Sequence, residues 1–269
     1  MKILHSGLPV FMRDTDGTLS FEDGLICDGS SSKTVGQMEG LIRNPDSIDR
    51  EERMYEAYRN IRFPEHESLF HHYDFRYDIT VIQPGTVNGE FKKTSGHYPG
   101  YIADGLHPYP EVYEVIHGEI LFILQKSHNF DRDEEPVIEE LKAVHVKEGE
   151  SIIIPPYCGH GSINPTDGIS MFSNLAVVSC PLHYGPVQKK HGLAACAIKD
   201  KDSFRVIPNE NYHNLPPVKL CRPVEEPSLG IAFGVPCYNT FLSHPERYDF
   251  LLHPDSYMDT LNQMTEEVT

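Results

Sequence analysis

The chain has 269 residues, enough for one large domain or a domain with sizeable extensions, and its 39 % hydrophobic and 23 % charged residues fit a folded globular protein. Its 40 acidic against 23 basic residues leave a formal charge of −17. That balance argues against nucleic acid and anionic membranes as partners, because both are bound through clustered Lys and Arg.

No apolar run approaches the roughly 18 residues needed to span a bilayer. The opening MKILHSGLPVFMRD has too short an apolar core for a secretory signal, so a cytoplasmic location is expected. Residues 1–75 read as an N-terminal extension with one helix over 48–60 (IDREERMYEAYRN), whose acidic start suits a helix N-terminus. The flanking GSSSKT and IRFPEHES read as loops. Short strands are expected at 78–83, 88–94, 111–117, 119–126, 141–147, 151–154 and 169–178, rich in Val, Ile, Phe and Tyr. The acidic stretch 131–140 between them is a solvated loop. Many short strands separated by turns indicate a sandwich or closed barrel, here over 76–185. Prolines crowd the chain after residue 180, and 186–269 reads as a C-terminal extension packed on the barrel, with apolar pieces at 229–235 and 248–252. The six cysteines form no CxxC pair and read as free, packed thiols; Cys158 lies near a site histidine, but packing is its favoured role.

Two segments carry the chemistry. In 149–164 (GESIIIPPYCGHGSIN), Gly149, Pro155, His160 and Asn164 stand at the spacing of the second cupin signature, with Tyr157 at the place of its usual glycine. Upstream, His107, Glu111 and Gly118 stand at the spacing that ends the first signature, with Gly105 where a histidine is usual. His97, ten residues before His107, fills that gap if 98–106 loops out. The fold expected is therefore all-β, a cupin (double-stranded β-helix or jelly-roll barrel) with N- and C-terminal extensions. Its metal site is His97, His107, Glu111 and His160. Such a mixed nitrogen and oxygen set suits a divalent metal, with Fe(II) the first candidate and Mn, Ni, Co or Zn the others. His117, His145, His183 and His191 read as ordinary surface or core histidines.

The segments YDITVIQPGTVNGEFKKTSGHYPG, PEVYEVIHGEILFILQ and IIPPYCGHGSIN, within residues 77–185, resemble the cupin-type phosphoglucose isomerases of archaea and some bacteria. Thr94, Gly96 and His97, the run Pro110 to Glu114, and Pro155 to His160 carry the likeness. It implies metal ligation by His97, Glu111 and His160, with Pro99 where the family has its second histidine; His107 is the expected replacement. It implies phosphate contacts from Thr94 and Gly96, with Lys92 and Lys93 either assisting or facing solvent, and a border at the site from Tyr184. It also implies interconversion of glucose 6-phosphate and fructose 6-phosphate. That shift needs a base for a carbon-bound proton and a Lewis acid at the carbonyl. Glu111 and Tyr113, at i and i+2 on one strand, point to the same face and are the expected catalytic pair. The expected partner is a phosphorylated hexose, and the expected assembly a homodimer. An iron-dependent dioxygenase and a non-catalytic sugar-binding cupin are the alternatives.

Overall fold

Strands form where the sequence alternates or runs apolar, and they gather into two facing sheets in the computed structural model, which describes residues 1–103 and 105–268. The barrel strands are β1 (Gly29–Thr34), β2 (Arg53–Arg59), β3 (Phe75–Ile82), β4 (Glu111–His117), β5 (Glu119–Lys126) and β6 (Glu140–Lys147). They continue with β7 (Ser151–Ile154), β8 (Cys158–Ile163), β9 (Ser170–Val177), β10 (Val218–Pro223) and β11 (Thr265–Glu267). The first sheet runs β7-β4-β9-β3-β2-β1 and is antiparallel throughout. The second runs β8-β5-β6-β10-β11 and is antiparallel except at β6 and β10. Consecutive strands β4 and β5, and again β7 and β8, fall in opposite sheets, which is the double-stranded β-helix of a cupin. Among the described residues no helix is long and apolar enough to cross a membrane.

The barrel interior is filled from both sheets by Tyr113, Val115, Phe122, Leu124, Val144, Ile152 and Phe172. The outer face of the first sheet is covered as well. Val112, Ile116, Tyr77 and Ile79 pack there against Leu8 and Val10 of the N-terminal hairpin and against Tyr238, Phe241, Tyr248 and Phe250. Burial on both faces explains why β9 is buried along its whole length and why its sequence shows little alternation. The two apolar pieces of the C-terminal region dock here without forming barrel strands: Leu229 and Ile231 join this core, as do Tyr248, Phe250 and Leu251.

The structure corrects three local expectations. The segment expected to be a helix over 48–60 contains strand β2, paired to β3 through Tyr55↔Ile82 and Ala57↔Thr80. Its Glu, Met and Ala favour helix, but pairing and burial in a sheet outweigh so weak a preference. GSSSKT, read as a loop, is edge strand β1, whose almost uniformly exposed residues give no alternation to read. Of 88–94, only Glu90–Phe91 is strand, in a separate small sheet with the hairpin 195–208. Strands from both flanks of 76–185 therefore enter the barrel sheets.

Where the C-terminal region meets the barrel, Glu114 is fully buried. Its Oε2 accepts from the Cys237 N–H (3.1 Å) and the Ser173 hydroxyl (3.4 Å), and its Oε1 has no partner among the described residues. Burial pushes its carboxyl up to about 8, against those two hydrogen bonds. The folded state thus holds this proton more tightly than the unfolded chain does. The group's contribution is complete below the unfolded value near 4.5 and is lost as pH rises through about 8. Glu114→Gln keeps the neutral shape, so thermal melts should show it more stable than the parent at pH 9, by a few kcal/mol, and little different at pH 5.

Candidate metal centre and active site

Glu111 opens β4 and points inward with Tyr113, two residues on. His160 lies on β8, facing them across the barrel. His97 sits in irregular chain, and what fixes it is a reciprocal pair of backbone hydrogen bonds. The His97 N–H donates to the His160 carbonyl (3.0 Å), and the His160 N–H donates to the His97 carbonyl (2.9 Å). The two imidazoles then stand with ring centroids 4.6 Å apart. Glu111 Oε2 lies 3.2 Å from His97 Nε2 and 3.1 Å from His160 Nε2.

This spacing fits a metal. Three lone-pair donors converge within 4.8 Å of one another. The two separations from Glu111, 3.2 and 3.1 Å, are close to the ~3.0–3.4 Å edges expected between ligands bound at about 2.1 Å. His160 Nδ1 lies 3.4 Å from the Cys158 carbonyl, which can only accept; Nδ1 therefore carries the proton and Nε2 keeps its lone pair. Burial lowers the His160 pKa, against the pull of Glu111. Burial alone would raise the Glu111 carboxyl, but His97 and His160 hold it well below the usual carboxylate range. The Tyr113 hydroxyl, 2.9 Å from His160 Nε2, is pushed well above its ordinary value by burial and by the Glu111 charge. It stays a neutral donor.

His107 does not join this group, which corrects the four-ligand expectation. Its Nδ1 lies 2.9 Å from the Tyr157 hydroxyl and its Nε2 3.6 Å from Asp255. Tyr157 adopts the left-handed φ of +69° that the usual glycine takes without strain, and its ring occupies the space beside His107. Pro99 is buried in a two-residue strand paired with Leu182, and among the described residues no fourth His, Cys, Asp or Glu joins the cluster. Among the described residues the donors are therefore two imidazoles and one carboxylate, a set that would leave positions open on a metal.

A cavity of about 120 Å³ opens on the cluster and is lined by Thr94, Gly96 and Tyr184 among others. Thr94 Oγ1 accepts from the Ser162 N–H (3.0 Å), and Gly96 has a φ of +74° with Leu193 and the His160 carbonyl packed against it. Tyr184 is 40 % exposed, its ring centroid 5.6 Å from that of His97. Cys158 packs in the barrel interior. Lys92 and Lys93 are no solvated face: Lys92 is buried and pairs with Glu52 (2.7 Å), and Lys93 pairs with Glu90. Neither lines this cavity. Arg59, Arg76, Thr80 and Cys180 do line it. Arg59 is hidden from sequence reading because the segment of β2 reads as a helix, whereas period two over Tyr55, Ala57 and Arg59 puts all three on one face; Arg76 is hidden because β3 begins at Phe75, ahead of the strand expected at 78–83. A larger cavity of about 630 Å³ lies elsewhere, beside Leu41, His191 and Asn209.

A family model described as glucose-6-phosphate isomerase (GPI) matches residues 32–214. The chain belongs to that family. Among its curated relatives, glucose-6-phosphate isomerase of Thermococcus litoralis is 25 % identical over 200 residues, covering 72 % of this chain and 94 % of that protein. The enzyme of Pyrococcus horikoshii is 24 % identical over 203 residues, covering 73 % and 95 %. Among solved structures, a cupin-superfamily sugar phosphate isomerase from Silicibacter pomeroyi is similar at 14 % identity and a TM-score of 0.31, covering 58 % of this chain and 78 % of that one. Oxalate oxidase in complex with glycolate is similar at 15 % identity and a TM-score of 0.32, covering 62 % and 58 %. Likenesses this distant carry no argument about chemistry.

Purified protein should take up about one divalent first-row metal per chain. Elemental analysis should show most of it lost in His160→Ala and retained in His107→Ala; equal loss in both would restore His107 to the site.

Proposed function

We propose that this chain is a metal-dependent isomerase that interconverts glucose 6-phosphate and fructose 6-phosphate. The observation that carries the reading is the meeting of an ionised Glu111, two imidazoles and the Tyr113 hydroxyl in one pocket. His97, Glu111 and His160 would hold the metal, Fe(II) being the first candidate. When bound it supplies a Lewis acid for the sugar carbonyl.

The chain's own residues account for the rest. An aldose–ketose shift moves a hydrogen between C1 and C2, so a base must take a proton from carbon and return it to the neighbouring carbon. Glu111 is the carboxylate at hand; bound tightly to the metal its lone pairs are engaged, so it would serve as base when weakly bound or displaced. Tyr113 is protonated, and once His160 Nε2 is engaged as a ligand the hydroxyl is free to donate toward the oxygen on which charge develops. The Thr94 hydroxyl and the Gly96 N–H would contact the phosphate, and Tyr184 would border the sugar at the mouth.

A second reading is favoured by the donor set itself. Two histidines and one carboxylate with open positions also form the facial triad of iron oxygenases. Oxygen uptake by Fe(II)-loaded protein that shows no isomerase turnover would select it.

A coupled assay on chelated protein, repeated after each metal is restored, tests the isomerase. Activity should vanish with chelation and return with metal; turnover at the uncatalysed rate with every metal tried would reject the reading. Thr94→Val should raise KM for the phosphorylated sugar through loss of one hydrogen bond to an anion, about 1.5–3 kcal/mol. Glu111→Gln should lower kcat whether the residue acts as base or ligand. Tyr113→Phe should lower kcat while leaving metal content unchanged, which isolates the hydroxyl.

A further inference from the structure

The pocket wall beside Tyr113 carries a carboxamide that the protein itself leaves unpaired. Asn174 stands midway along β9, 9 % exposed, and lines the cavity that opens on the metal cluster. Register fixes its direction. It pairs with Tyr113 of β4 on one side and with Asp78 of β3 on the other, and directly opposite residues share a face. Both neighbours are engaged elsewhere. The Tyr113 hydroxyl lies on His160 Nε2, and the Asp78 carboxylate accepts from Arg59, Arg76 and the Asn60 N–H. Among the described residues, Glu114 Oε1 is the one fully enclosed side-chain polar atom that lacks a hydrogen bond. The Asn174 carboxamide, bonded to none of the described residues, is therefore open to the cavity and not sealed in its wall.

Its surroundings suit a hydroxyl-bearing carbon chain. Ala176, two residues along the same face, falls opposite Glu111 when the Val112↔Leu175 pairing is carried on by one residue, and its methyl leaves room in front of that carboxylate. Phe172, two residues the other way, closes the wall with an apolar ring. The carboxamide is thus about 5 Å across the sheet from the Tyr113 backbone and about 7 Å along β9 from Ala176, within reach of a six-carbon chain whose end lies at Glu111. A carboxamide is neutral and offers both donors and an acceptor, which matches a hydroxyl; a phosphate would use its donors alone. We propose that Asn174 is a specificity-determining residue, holding one hydroxyl on C3 to C5 of the sugar phosphate while C1 and C2 lie at Glu111 and Tyr113. A substrate without that hydroxyl would cover the carboxamide and leave it unpaired, and is rejected for that reason. The inference rests on the sugar-phosphate reading above, and binding measurements separate the two.

Glucitol 6-phosphate has the carbon chain and phosphate of the sugar but no carbonyl, so it binds without turnover. Metal-loaded full-length protein, with Asn174→Ala and Asn174→Leu, is titrated calorimetrically with this ligand, with its 3-, 4- and 5-deoxy forms and with inorganic phosphate. Both variants should bind glucitol 6-phosphate roughly three- to tenfold more weakly, with metal content and affinity for inorganic phosphate as in the parent. Against one deoxy form, which the parent itself binds more weakly, the difference between parent and variants should vanish. A merely structural role would weaken every ligand alike and single out no hydroxyl. Should Asn174→Ala fail to fold, Asn174→Leu, of nearly equal volume to the parent side chain, carries the same test. Parent-like affinity in the variants, or a loss that persists against all three deoxy forms, overturns the proposal and leaves the isomerase reading to its own turnover assay. A parent that does not bind glucitol 6-phosphate overturns it as well, and turnover of fructose 6-phosphate by the same preparation then decides whether the isomerase reading falls with it.

Discussion

The reciprocal hydrogen bonds between the His97 and His160 backbones govern the site. His97 stands outside the barrel strands, in chain that would otherwise be free to place its imidazole anywhere. Two bonds of 3.0 and 2.9 Å tie it to β8 and turn a strand residue and a loop residue into neighbours. Packing protects the tie from both directions. Tyr98 lies so close over Gly159 that a Cβ there would come within 2.5 Å of its ring, and Leu193 fills the space at Gly96 and Gly161. Tyr98 is itself held by a hydrogen bond from Gln125 (2.7 Å) and by stacking on Phe130. The placement of the three donors thus depends on Tyr98, Leu193, Gln125 and Phe130 as well as on the strands.

Much of the barrel was legible because its strands obey period two or run apolar over four to eight residues, and because turns punctuate them. Glu111, Tyr113 and His160 were legible for the same reason: each sits on or beside such a strand at a fixed offset from Gly118 or Pro155. β8 was not, since Gly159 and Gly161 look like loop residues. They are glycines because Tyr98 and Leu193 press against the strand, a tertiary cause with no local signature. His107 misled because its spacing to Glu111 is right while its direction is set by Tyr157, fifty residues away in sequence. Spacing reports which residues can share a face; it does not report which neighbour captures a side chain.

Electrostatically, the interior holds groups that burial treats in opposite ways. Glu111 stays charged because two imidazoles flank it, whereas Glu114, three residues along and on the other face of β4, has only neutral donors and retains its proton. One strand therefore presents a carboxylate to the pocket and a carboxylic acid to the core. Asp78, equally hidden, finds its partners in arginines. The net charge of the chain says nothing about any of these; each is decided by what lies within a few ångströms.

The parallel pairing of β10 against β6 bears on how the molecule assembles as it is made. The second sheet is extended by residues 218–223 and bordered by 265–267, although its first strands come a hundred residues or so earlier. Contacts of such long sequence separation form late, because the loop between them must close before they gain anything. A chain emerging from the ribosome would carry β5, β6 and β8 for many seconds with one long edge of hydrogen-bonding groups still open. During that interval the nascent barrel is most exposed to mispairing with another chain, and its protection depends on how soon residues 218–223 and 265–267 arrive.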